Sequence, residues 1–164
     1  MNKHDYYKNL LKDYQPCKAG TVQFTEETDE ELMDKYVEFA DYSLELGVPN
    51  NGQIIRNFTG EQLTSKNIYI TEELDKTSPQ GRHILGGDLY HQAVFEKFNV
   101  GDLYVKDNAI LDLTVTDNSI VYVFAYDSCT ININKDESAR VYVYRFNEAV
   151  TIDGEHTLRD RVYE

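Results

Sequence analysis

The side chains able to do chemistry are few and scattered. Histidines stand at positions 4, 83, 91 and 156, and the two cysteines, Cys17 and Cys129, lie one in each half of the chain. None of them forms an HxH, HExxH, CxxC or mixed Cys/His cluster, the spacings that bring two ligands to one zinc ion. His83 and His91 flank Gly86, Gly87 and Asp88, the nearest approach to a polar constellation. With no third partner in sight, they read as residues of a surface loop. GxSxG, Walker and dinucleotide-binding sequences are absent. These residues predict no catalytic group, no cofactor and no metal ligand, and a protein that is not an enzyme.

One acidic series is regular. Asp107, Asp117 and Asp127 recur every ten residues, followed in the same column by Glu137 and Asn147. Stacked carboxylates of this kind can bind calcium in β-solenoids. That chemistry normally comes with a glycine-rich nonapeptide, which this chain lacks. Asp and Asn in turns also accept hydrogen bonds from nearby backbone N–H groups, and this is the expectation here.

The column belongs to an internal repeat. Ala109, Ser119, Cys129, Ala139 and Ala149 follow it two places on, so each unit is a polar turn, a small residue and a strand. Leu111, Val121, Ile131 and Val141 align, as do Leu113, Val123, Ile133 and Val143. Alternate positions of a strand face one way, so these residues share a core. The last unit slips by one, to Val150 and Ile152, and an earlier one is visible in Leu103 and Val105. Cys129 then reads as a small core residue.

Two folds give such a rhythm. An antiparallel β-meander would join neighbouring strands by four-residue turns. A flattened, two-sided β-solenoid would use two units per coil and stack residues 20 apart at about 4.8 Å. Outward-facing residues favour the solenoid. Tyr122 and Phe124 would stack on Tyr142 and Tyr144, with Tyr104 extending the column, while Asp112 and Thr114 would meet Asn132 and Asn134. One face becomes aromatic and the other polar, a sorting with period 20 that a meander gives no reason for.

The first half reads as helical. Tyr7, Leu10, Leu11 and Tyr14 make one stripe that stops near Pro16, and a second helix is predicted from about Glu26 to Leu46, closed by Gly47 and Pro49. Gln53 to Phe58 adds a short helix, Thr59 caps another through Ser65, and Asn67 to Thr71 looks like a strand. The resulting fold class is α+β, with the antiparallel meander as the alternative architecture. Its boundaries are a helical region over 1–75, a connecting loop and strand over 76–98, a solenoid over 99–153 and a charged tail over 154–164, able to cap the open end of the solenoid.

Composition limits the partners. A net charge of −13 excludes nucleic acid and anionic membranes, which need neutralising Lys and Arg. The opening MNKHDYYKNL is polar, and no apolar run approaches the roughly 18 residues of a membrane span, so a soluble cytoplasmic protein with free thiols is expected. Thirteen tyrosines and no tryptophan suit strands and contact surfaces, where the ring packs and the hydroxyl stays wet.

The order of features resembles a group of small uncharacterised proteins from Bacteroides-type gut bacteria and their phages. The matching pieces are the striped helix, Ile54-Ile55-Arg56-Asn57-Phe58, Asn67-Ile-Tyr-Ile-Thr, Ile84-Leu85-Gly86, the decameric repeats, Arg140-Val-Tyr-Val-Tyr and Leu158-Arg159-Asp160-Arg161. The resemblance implies this fold and a phage context, including a virion assembled in the host cytoplasm. It transfers no catalytic residue.

The expected function is therefore that of a structural or interaction protein. The candidate interface is Tyr104, Tyr122, Phe124, Tyr142 and Tyr144. That face is either covered by the N-terminal helices, or used for self-association or another protein partner, or offered to a glycan. A monomeric module presenting the acidic helix to a basic protein is the remaining alternative.

Overall fold

The structure, a computed structural model, describes residues 3–12 and 28–162. The Tyr14 and Pro16 end of the first stripe, Cys17 and Glu26 lie outside the described residues, as do the side chains of His4 and Leu11.

Among the described residues five short helices precede the strands: α1 (Lys3–Lys12), α2 (Asp29–Glu38), α3 (Ala40–Leu46), α4 (Asn51–Ile55) and α5 (Gly60–Ser65). Three starts carry the same device. Thr28, Asn50 and Thr59 each accept from the backbone N–H three residues on, while Glu31, Gln53 and Gln62 reach back to the cap. Each exchange satisfies two otherwise orphaned donors. The single helix expected to Leu46 is in fact two. Phe39, at φ −102° and ψ 28°, leaves helical geometry and turns the chain between α2 and α3. Both halves still bury one stripe: Leu32, Met33 and Tyr36, then Ala40 and Leu44. Gly47 ends α3 in the left-handed conformation, which costs glycine nothing.

From Ile68 onward the chain winds as a two-sided solenoid. Strands β1 (Ile68–Tyr69), β3 (Arg82–Leu85), β5 (Val100–Val105), β7 (Ile120–Ala125), β9 (Arg140–Arg145) and β11 (Thr157–Asp160) form one sheet. Strands β2 (Asp75–Thr77), β4 (Tyr90–Phe95), β6 (Ile110–Val115), β8 (Thr130–Lys135) and β10 (Thr151–Asp153) form the other. Every pairing among the described residues is parallel, so the chain is not an antiparallel meander. The central register is the expected one: Val121 pairs with Val141, Val123 with Val143, and Leu111 with Ile131. The slip after Ala149 is also present, since Ile131 pairs with Ile152. Its consequence is that Val150, not Ala149, enters the small-residue column beside Ala109, Ser119, Cys129 and Ala139, while Ala149 is exposed.

The winding begins before residue 99 and continues beyond 153. The region over 76–98, expected as a connecting loop and strand, holds most of β2 and all of β3 and β4, and the charged tail contributes β11. Signals were hidden because these coils are shorter: Ile68 pairs with Ile84, Asp75 with Gln92, and Tyr142 with Thr157.

Two apolar clusters result. One fills the solenoid, from Tyr69 and Leu74 through Phe95, Leu103 and Leu113 to Val143 and Val150. The other lies outside the first sheet, where α1 to α5 pack on Ile68, Ile84, Tyr104 and Tyr126. Among the described residues no helix is long and apolar enough to cross a membrane.

Candidate interaction surface

The aromatic side chains sit where twenty-residue register sends them. Tyr104 stacks on Phe124 with ring centroids 4.5 Å apart, and Phe124 on Tyr144 at 5.0 Å. Tyr122 stacks on Tyr142 at 5.3 Å. A further pair, Tyr126 on Phe146 at 4.6 Å, was not expected, although the same spacing of 20 marks it one alternate position further along the strand. A guanidinium closes the longest column at each end: Arg82 lies 5.9 Å from the centroid of Tyr104, and Arg161 lies 5.9 Å from that of Tyr144.

Cover over this face is partial. Tyr104 and Tyr126 are 1% and 3% exposed beneath the helices, and Phe124 is packed on the same cluster. Burial pushes both tyrosine hydroxyls well above their ordinary range. Tyr122, Phe124, Tyr142, Tyr144 and Phe146 remain half-exposed. The described helices sit over the early coils and over the C-terminal ends of the strands, so Tyr104 and Tyr126 are buried while Val100 and Tyr122, earlier in the same coils, are not. On the same sheet Val100 is 56% exposed, and at the corner before its strand Phe98 is 76% exposed, with its backbone at φ 61°. A left-handed φ is unusual for a bulky residue, and Phe98 gains no burial in exchange. Both stand in register with the repeat, Val100 paired with Ile120 and Phe98 ten residues before Asn108, so the period could have marked them.

The same region gathers arginine. Four of the six arginines, Arg140, Arg145, Arg159 and Arg161, fall in or beside the last two strands of this sheet. Arg145 is bound to Asp160, with Nη2 to Oδ2 at 2.5 Å. Arg140 and Arg159 are exposed and have no ion pair among the described residues. Arg159 pairs with Tyr144 in register, so both point outward.

The other candidates are structural. His83 and His91 are not surface-loop residues but lie on β3 and β4, buried to 1% and 0% exposure. His91 Nδ1 accepts from the Leu74 N–H at 3.0 Å, which leaves Nε2 to donate to the Gly86 carbonyl at 3.2 Å. His83 lies parallel to the Tyr69 ring with centroids 6.1 Å apart. Burial lowers the pKa of both imidazoles.

The aspartates form hydrogen-bonded ladders along the corners. Asp107 Oδ2 accepts from the Gly87 N–H at 2.7 Å, and Asp127 Oδ2 accepts from the Asp107 N–H at 2.9 Å. On the opposite edge Asp117 serves Lys97 at 3.3 Å, and Asp136, rather than Glu137, serves Asp117 at 3.1 Å. Asp107, Asp117 and Asp127 themselves adopt φ of 60°, 54° and 55°, a conformation Asp tolerates. Among the described residues no cluster of three or more His, Cys, Asp or Glu is placed to hold a metal ion. Cys129 is fully buried, and burial pushes its thiol up to about 12, so it is an inert core residue.

A shallow groove of about 730 Å³ runs between α2, α5 and β3, lined by Asp34, Glu38, Lys66 and Arg82. Its cations are already engaged. Lys66 bridges to Asp34 at 3.0 Å, and Arg82 donates to the Glu38 carbonyl at 2.7 Å.

No protein-family profile matches the chain, and neither the curated proteins nor the solved structures contain a match to it. The fold and the surface therefore carry the functional argument alone.

Proposed function

We propose that this protein is a non-catalytic interaction module that binds a protein partner through the late-coil half of its aromatic sheet. The phage context implied by the resemblance makes a virion component or accessory the most concrete version. The observation that carries the reading is that the ring stacks extend beyond the helical layer over them. Tyr122, Tyr142 and Tyr144, with the exposed Val100 on the same sheet, make a stacked, partly wet surface of tyrosine, aliphatic and arginine side chains. Protein interfaces concentrate that composition, and preorganised rings bind at little entropic cost.

A glycan fits less well. Sugars stack on aromatic faces, and here the faces are occupied by the next ring: interplanar angles are 9° to 15° across the three stacks of the predicted interface. What remains outside is ring edge and hydroxyl. The acidic-helix alternative loses acids to the fold itself. Glu31 closes a capping box, Asp29 binds Lys3 at 2.5 Å, and Asp34 binds Lys66.

A photo-crosslinking side chain at position 142, compared with one at position 134 on the polar sheet, tests the reading in cells expressing the full chain. Discrete protein adducts are expected from 142 and not from 134. Absence of adducts at 142, or equal labelling at both positions, overturns it.

A further inference from the structure

The uncovered surface and the layer that fails to cover it lie on the same side of the molecule, and their charges are opposite. Over the early coils, α2 and α3 carry Glu38, Asp41 and Glu45, exposed acids on either side of the turn at Phe39. Over the late coils no helix packs among the described residues, and Arg140, Arg159 and Arg161 stand among Tyr142, Tyr144 and Phe146. The sheet side is thus a step: raised and acidic at one end, low, aromatic and basic at the other.

From this we infer that the occupant of the surface is a second copy of the chain, placed by a two-fold axis so that each helical layer covers the other's late coils. The inference rests on the interaction reading above and names its partner. A two-fold turn sets the raised end of one copy into the low end of the other. It also brings the acids of each copy onto the arginines of its mate. Self-complementarity of this kind is what an isologous interface requires. Direct apposition of the two arginine surfaces is disfavoured by like charge, and so is apposition of the two acidic ends. With a net charge of −13, each copy repels the other at long range. Association should therefore depend on ionic strength in two senses, favoured by screening of the net charge and weakened where the close pairs are screened.

Light scattering of the full chain after size exclusion, over a range of concentrations, reads the stoichiometry. The expected mass is twice the 19.0 kDa of one chain. Joint Arg140→Glu and Arg159→Glu substitution should raise the dimer dissociation constant by roughly ten- to a hundredfold, and joint Glu38→Lys and Glu45→Lys substitution should do the same. Mixed in equal amounts, the two variants should form a heterodimer, because both crossed contacts again join opposite charges. Circular dichroism melts of each variant separate lost association from lost folding. A monomer at every concentration overturns the inference, as does a dimer indifferent to these changes. Rings or filaments overturn the two-fold arrangement. A monomer that still crosslinks to other proteins from position 142 removes the second copy while leaving the interaction reading standing; a monomer with no adducts removes both.

Discussion

An imidazole at position 91 replaces an aliphatic side chain in the interior and must find two hydrogen bonds there. It finds them in the Leu74 N–H and the Gly86 carbonyl, a pairing that holds only for the neutral ring. Burial keeps the pKa of His91, and that of His83, below the ordinary value. An unfolded chain then binds protons in a range where the native one does not. The contribution of these residues is complete above about pH 6.5 and is lost as pH falls below it. Urea midpoints should hold between about pH 8 and 7 and decline on acidification towards about pH 5. His91→Gln, which retains amide donors and acceptors without titrating, should shrink that decline. A second residue-scale prediction concerns Gly101. A Cβ there would stand 2.2 Å from Cε1 and 2.4 Å from Cζ of the fully buried Phe95. Gly101→Ala should cost about 1–3 kcal/mol in urea denaturation, and adding Phe95→Leu should recover part of it. Gly52→Ala is the control, because a Cβ there meets only Asn50 Oδ1 at 3.4 Å.

At the scale of elements, the corners hold coil to coil. Asp107 accepts from Gly87 and also from Asn51 Nδ2 at 2.7 Å, and Lys106, buried beside it, donates to Asn51 Oδ1 at 2.8 Å. The corner therefore ties α4 to the solenoid as well as coil to coil. Asp107→Ala leaves several buried partners unpaired and should cost about 2 kcal/mol or more by thermal or urea melting. Calcium at millimolar concentration should not move the melting temperature, because these carboxylates are already engaged. The polar sheet has its own ladder, in which Asn132 Nδ2 donates to Asp112 Oδ1 at 2.7 Å. As an outward residue, Asn132 looks tolerant of change from sequence alone. With that bond present, Asn132→Asp sets two carboxylates together and should destabilise by about 1 kcal/mol at neutral pH, with relief in acid. Val123→Asp, in the solenoid interior, should leave no folded population on the same assay.

For the whole molecule, a solenoid is held by nearest neighbours, so its stability should fall off towards any end that lacks a cap. The first coils have α5 and the Tyr69 and Leu74 side chains over them. The last coil has the tail, which closes it with charge: Lys135 pairs with Glu155 at 3.1 Å and Arg145 with Asp160. Leu158 nevertheless stays 42% exposed, and β10 has only three residues. Hydrogen exchange should reach the amides of β10 and β11 well before those of β6 and β7. In the dimer inferred above, protection on the aromatic sheet should rise with protein concentration, over β9 and β11 most.

What the sequence determined by itself is whatever repeats. A ten-residue period with alternate apolar positions marks which side chains turn inward, and a twenty-residue sorting of aromatic and polar residues marks two sheets and their register. Both are local statements, because backbone geometry alone sends alternate residues to opposite faces. Tyr122 on Tyr142 and Phe124 on Tyr144 follow directly from it. Only the tertiary structure decided the rest. Coils through β1, β2 and β11 depart from the period, so no column in the chain announces them. His91 stands 20 residues before Leu111 in the same inward column, so its direction is periodic, but its partners, the Leu74 N–H and the Gly86 carbonyl, are placed by no repeat. How far the ring stacks stay open depends on where the described helices settle across the sheet. That placement is fixed by packing between Tyr36, Leu44, Leu63 and Tyr104, residues far apart in the chain whose contact no spacing encodes.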